Sequence, residues 1–207
     1  MVPNPDIHLI PAKLSALRPT QMTVGYREVT AKRDHWKTLG AKARREAIAS
    51  HWFPAVLGPE DCHYIVDHHH LGLALLEEGV KEVQVMVLKD LSWLDNLIFW
   101  RMMEHNQWVH PFGADGSRYE YKHLPKSVTE MTDDPYRSLA GELRRVGGYA
   151  KDATPFSEFL WADFLRPRIP QNKIAKNFAK ALDQAKALSH TSDARYLPGW
   201  SGVITQS

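Results

Sequence analysis

The sequence predicts an α+β protein: a small mixed-sheet lobe over residues 1–92, followed by a helical lobe over residues 93–207. Three observations predict it. Apolar runs short enough for strands are confined to the first ninety residues. Helical patterns dominate after them. No Gly/Ser/Pro-rich spacer occurs near residue 90, so the lobes should pack together rather than hang on a tether. At 207 residues and 43% hydrophobic, the chain can bury one substantial core, or one core plus a smaller satellite domain.

In order, His8–Leu14 reads as a short strand whose proline suits an edge or an end. Arg18–Gln21 is a loop, and Gly25 permits a turn there. Arg27–Ser50 is charged and helical, with Val29, Trp36, Leu39, Ala47 and Ile48 as its apolar positions, and Gly40 divides it into two helices. His51–Pro59, with two prolines and a glycine, reads as a connection. Next comes the unit that organises the chain. Tyr64–Val66 is a strand, Asp67 is placed to cap a helix over His68–Glu78, Gly79 ends that helix, and Glu82–Leu88 is a second strand pairing with the first.

The remaining elements are helical. Trp93–His105 follows Ser92 as its cap, and His110–Tyr121 is turn-rich with a short extended piece. Asp133-Asp134-Pro135 is a cap with proline at the first helical position, for a helix closing at Gly147-Gly148. Thr154-Pro155 repeats the device for Phe156–Leu165. Asn172–His190 forms a helix with Ile174, Phe178, Leu182, Ala185 and Leu188 on one face, and the last residues form a tail or wrapping arm.

Charge and composition exclude several classes. A net charge of +2 advertises no global affinity for nucleic acid, although Lys32, Arg33, Lys37, Lys42, Arg44 and Arg45 form a local basic segment able to meet phosphates. Cys62 is the single cysteine, which excludes an internal disulfide framework and fits a reducing, cytoplasmic setting. No stretch approaches the length of a membrane span, and the first residues lack the pattern of a secretory leader.

Chemistry is expected at the turn after the first strand of the central unit. A helix N-terminus there presents free N–H groups and a positive dipole end, an anion site in outline. Consecutive helical side chains diverge by about 100°, so His68, His69 and His70 cannot converge on one ion, and no dedicated structural metal is expected. A magnesium carried in by a nucleotide needs only one or two carboxylates. With Asp67 and an anion close by, a histidine of the turn is expected to be partly protonated near neutrality.

The turn Val66–His70, its amphipathic helix and the EVQVMVL strand resemble the ParB/sulfiredoxin superfamily over roughly residues 5–90. More closely, TVGYREVTAKRDHW (23–36), DDPYRSLAGELRRVGGYAK (133–151) and FSEFLWADFLR (156–166) resemble the putative ParB-like nucleases. The resemblance implies a ParB/sulfiredoxin-type lobe and a nucleotide- or phosphate-binding turn. Asp67, His69 and His70 match the Asp-x-His-His turn of its kinase-like members, where the next residue is arginine and here is Leu71. The missing charge must then come from Arg27 or Lys32. Sulfiredoxin's thiol chemistry does not carry over, because the turn holds no cysteine.

As an enzyme, a nuclease or a nucleotide-dependent phosphotransferase or hydrolase, the chain would use Asp67 as base or metal ligand and His69 or His70 as acid or anion stabiliser. Arg27, Lys32, His68, Gln21 and Arg137 would hold the phosphate or nucleotide, with Arg137 better suited to an ion pair at its helix start and ranked second as a clamp. As a non-catalytic nucleotide- or DNA-binding switch, it would use the same pocket without turnover. As a structural protein, it would keep Asp67 only as a cap.

Overall fold

The computed structural model describes residues 9–203 and is a mixed α+β fold. Five strands form one sheet: β1 (Leu9–Lys13), β2 (Arg18–Pro19), β4 (Trp52–Gly58), β5 (Cys62–Ile65) and β6 (Glu82–Asp90). Their spatial order is β1-β6-β4-β5-β2. β1 runs antiparallel to β6, β6 parallel to β4, β4 antiparallel to β5, and β5 parallel to β2.

The two strands of the central unit share this sheet without touching, because β4 lies between them. β4 is the segment that reads in sequence as a connection. Pro54 explains the misreading, since proline is normally kept out of interior strands. Here it lies where β5 is ending, and its carbonyl accepts the Val66 N–H at 2.9 Å. The ladder bond its ring cannot donate falls at the turn, where the strand is finished.

Alternation along β6 aims Val83, Val85 and the partly buried Val87 at the main core. That core joins them to Phe53, Ala55 and Ile65 of the sheet. Two helices cover this face, α1 (Tyr26–Thr38) and α3 (His69–Glu77), contributing Val29, Trp36, Leu73, Ala74 and Leu75. α2 (Ala41–Ser50) lies outside them, and none of its ten residues is fully buried. Gly40 divides α1 from α2 as expected. On the opposite face, α4 (Asn96–His105) packs Phe99 and Met103 against Val56 and Tyr64. Its cap is Asp95, whose Oδ1 accepts the Ile98 N–H at 3.0 Å; Ser92 instead bonds Asp90.

Four further helices enclose another core: α5 (Pro135–Arg145), α6 (Ser157–Leu165), α7 (Gln171–Lys176) and α8 (Phe178–Ser189). Asp134 caps α5, accepting the Tyr136 N–H at 2.9 Å, and Gly147 (φ 80°) lies just beyond the helix end. Where the sequence reads one helix over Asn172–His190 there are two. Asn177 leaves helical geometry and accepts the Lys180 N–H to cap α8. The C-terminal residues wrap back, with Trp161 Nε1 donating to Pro198 O at 2.9 Å and Ala150 N–H to Gly199 O at 2.8 Å.

The sheet and the helices are joined at the start of α1. β3 (Thr23–Val24) pairs in parallel with β7 (Thr132–Asp133), and the Tyr26 N–H donates to Asp133 at 2.8 Å. A Cβ at Gly25 would lie 2.8 Å from the backbone N and side-chain Oγ of Ser138 in α5, so only glycine lets the segments approach this closely.

Candidate functional site

A cavity of about 590 Å³ opens between the first turns of α3 and α6, with α1 and α5 as side walls. Asp67, His68, His69 and His70 enter it from the turn after β5, Gln21 from the loop after β2, and Lys32 from α1. Arg137 and Arg144 enter from α5, and Glu158 and Phe159 from α6. Arg27 does not line it. That guanidinium lies 3.9 Å from the centre of the Phe178 ring in α8, on another face of α1. The charge missing at Leu71 is therefore not supplied by Arg27.

The turn differs from its expected form. Asp67 does not cap α3. Its side chain is 75% exposed, and its Oδ1 accepts the N–H of the adjacent His68 at 2.6 Å. The N-cap is His68 itself, held in the left-handed region at φ 65° with no side-chain cap bond. Its ring meets Phe53 edge-on, 5.9 Å between centroids, and its Nδ1 is buried without a partner among the described residues. Phe156, at the N-cap of α6, repeats the geometry at φ 59°, so Thr154-Pro155 does not cap that helix. Both helices thus begin at the cavity with no side chain on their first N–H groups. Gln107, also on the wall, is a third non-glycine residue with positive φ, 57°. It does so at the end of α4, where its N–H donates to Glu104 O at 3.0 Å and the Trp108 N–H to Met103 O at 2.9 Å, a left-handed helix stop.

His69 and His70 do not face the cavity as free acids. His69 is 4% exposed, and its Nε2 accepts the backbone N–H of Thr20 at 3.2 Å. The Thr20 hydroxyl in turn donates to Ile65 O at 2.9 Å. His70 Nε2 accepts the Gly25 N–H at 3.0 Å. A nitrogen that accepts an N–H carries no proton, so both rings are neutral. Burial holds both pKa values well below the ordinary histidine range, and Arg137 among other positive neighbours pushes the same way. Neither ring is the partly protonated histidine expected of this turn, since each Nε2 is occupied as an acceptor. Glu28 lies 3.7 Å from His70 Nε2, but no ion pair forms against a neutral ring; Glu28 pairs with Lys32 at 3.2 Å.

Arg137 is the most constrained charge in the site. It is 6% exposed, and its guanidinium lies 3.5 Å from the centre of the Phe159 ring. Nη2 reaches Glu158 Oε2 at 3.4 Å, while Nε and Nη1 have no hydrogen-bond partner among the described residues. Glu158 is shared, because Arg144 pairs with its other oxygen. Counted around the cavity, Lys32, Arg137, Arg144 and Lys151 face Glu28, Asp67 and Glu158. Among the described residues no three His, Cys, Asp or Glu side chains are placed to hold a metal ion, and no helix is long and apolar enough to cross a membrane.

A family model described as putative ParB-like nuclease matches residues 10–167. The chain belongs to that family. The crystal structure of protein Atu1540 from Agrobacterium tumefaciens superposes with a TM-score of 0.88 at 45% identity, covering 95% of this chain and 100% of that one. The C-terminally truncated chromosome-partitioning protein ParB from Caulobacter crescentus, complexed with CTP-gamma-S, matches at 12% identity over 90% of this chain and 94% of that one, with a TM-score of 0.33. The same protein complexed to the centromeric parS site matches at 14% identity, 86% and 96% coverage and a TM-score of 0.30. No curated protein matches the chain.

In this ParB-like chain the turn is one wall of the site, and the opposite wall comes from segments about seventy to ninety residues later. Nothing local in the sequence marks Arg144, Lys151, Glu158 or Phe156 as a site residue. Arg144 sits in the last turn of α5, where a basic residue is ordinary. No local signal separates it from Arg145, which turns outward to pair with Glu142.

Proposed function

We propose that the cavity binds a small phosphate-bearing ligand, and that ligand binding rather than acid–base turnover by the histidines is the function of this site. Arg137 carries the reading. A buried guanidinium with two nitrogens, Nε and Nη1, left without partners is costly unless an anion completes its hydrogen bonds, and guanidinium geometry suits phosphate oxygens. Lys32, Arg144 and Lys151 add positive charge at the wall, and the uncapped start of α3 adds backbone donors. A volume of about 590 Å³ suits a ligand of nucleotide size.

Within this reading His69 and His70 are positioning residues that fix the loop after β2 and the start of α1 against α3. Asp67, exposed on the wall, is the carboxylate available to a magnesium brought in by a nucleotide, whose charge would offset that of the phosphates. A duplex is a poorer fit, because the basic segment of α1 and α2 is largely neutralised. Arg33 pairs with Glu77 and Glu78, Lys37 with Asp34 and Glu78, and Lys42 with Glu46.

The test is a thermal-shift and calorimetry panel of phosphate, pyrophosphate and nucleoside mono- to triphosphates, with and without magnesium. Phosphate-bearing probes should raise the melting temperature, and Arg137→Met should weaken them by at least about tenfold. A panel in which no probe shifts the wild-type protein would refute the reading.

A further inference from the structure

A second cavity, of about 420 Å³, lies between α1, α2 and α3. It shares Glu28, Lys32, His51 and Leu71 with the first, so the two adjoin. Their chemistry differs sharply. Beyond the shared residues the walls are Ala31, Trp36, Leu39, Ala47, Ile48 and the apolar face of α3, with the exposed His35 at the edge.

Both long walls change character in the same direction. Along α1, Glu28 and Lys32 on the polar cavity are followed at helical spacing by Trp36 and Leu39 on the apolar one. Along α3, His70 and Leu71 are followed by Ala74 and Leu75. Leu71 marks the junction. From Lys32 to Leu39 is about 10 Å at the helical rise, the reach of an extended chain of about eight carbons. α2 forms the outer wall through the only partly buried Ala47 and Ile48 and closes no tight core there.

We propose that the second cavity receives the hydrocarbon end of the ligand whose phosphate lies in the first, so that the ligand is an amphiphilic phosphate monoester. The proposal rests on the anion-binding reading above. Polarity decides between a hydrocarbon and a nucleobase. A base buried here would bring several hydrogen-bonding edge atoms, each needing a partner. The deep wall is built of Ala, Leu, Ile and Trp side chains; at the rim Lys32 is paired with Glu28, His51 Nδ1 lies 2.9 Å from Ala47 O, and the exposed imidazole of His35 is one polar group against the several a base would need. An alkyl chain needs none of these partners and gains from burial against every wall.

The experiment is isothermal titration of the full chain with inorganic phosphate, methyl, butyl, hexyl and octyl phosphate, and adenosine monophosphate, below micellar concentrations. Affinity should rise from methyl to octyl phosphate by about tenfold for every two methylenes buried. Ala47→Phe, which fills the cavity from the exposed helix, should remove that gain and leave methyl phosphate unchanged; Ala47→Leu should remove part of it. Circular dichroism melts check that both variants fold. If phosphate and methyl phosphate bind but lengthening adds nothing, or if Ala47→Phe keeps the gain, the second cavity is not a tail site and the anion reading stands. Adenosine monophosphate binding more tightly than octyl phosphate overturns the proposal in favour of a nucleobase. If no phosphate-bearing probe binds, or octyl phosphate binds Arg137→Met as well as wild type, the anion reading fails and this one with it.

Discussion

The Nε2 atom of His70 accepts the backbone N–H of Gly25 at 3.0 Å, joining the first turn of α3 to the start of α1. His69 makes the parallel bond to Thr20 at 3.2 Å. Two adjacent imidazoles thus fasten two points of the segment between β2 and α1. Replacing either ring with Phe keeps its bulk but orphans a backbone donor. Each variant should lose about 1–3 kcal/mol of stability in urea unfolding. A change below about 0.5 kcal/mol for both would show that the bonds do not hold the segment.

These rings also predict a pH profile. His69 and His70 have pKa values well below 6.5 in the folded chain, and burial takes His110 to about 3. An unfolded histidine binds its proton near pH 6.5, so below that value the unfolded state holds more protons than the folded one. The contribution is complete above pH 6.5 and is lost as pH falls from there toward the folded values. Each ring contributes a slope of at most about 1.4 kcal/mol per pH unit in that window. Unfolding free energy measured from pH 7.5 to 5 should fall below 6.5, and less steeply in His110→Phe. A flat profile would mean that the rings are protonated in the folded state.

Glu158 bridges Arg137 and Arg144, so neutralising it should act in opposite directions on stability and binding. Glu158→Gln leaves the buried Arg137 without its closest carboxylate and should destabilise the free protein by about 3 kcal/mol. An anion would then replace the lost charge, so pyrophosphate should raise the melting temperature by more than it does in wild type. An equal or smaller shift would argue that Arg137 does not meet the ligand.

The ion pairs along α1 and α2 predict weak dependence of any duplex DNA binding on that segment. Log affinity against log salt should have a slope shallower than about −3, equivalent to no more than three or so phosphate contacts. Fluorescence anisotropy at several salt concentrations measures it. A slope near −8, reduced by Lys37→Ala and Lys42→Ala, would restore the basic segment as a DNA-binding face.

Much of the fold is written locally, where one residue and its neighbours settle the physics. Asp134-Pro135 starts α5 because a carboxylate and a residue without an N–H both suit a helix entrance. Gly40 separates two helices, and Val83, Val85 and Val87 declare a strand with one face inward. By itself the sequence determined the mixed α+β class, the turn after β5 as one wall of a cavity, and the resemblance that the family match bears out. Tertiary structure decided what local patterns cannot encode. β4 is a strand despite Pro54 because the missing donor falls where β5 ends. Asn177 divides one apolar stripe into two helices, since both pieces can then bury Ile174 and Ala181 in the same core. His68 and Phe156 adopt positive φ at the cavity, each at the start of a helix, which no local pattern in the sequence announces. The roles of the turn histidines were decided the same way: a titrating group at a helix start invites an anion, but folding places the Thr20 and Gly25 N–H groups on those nitrogens and moves the anion's partner to Arg137.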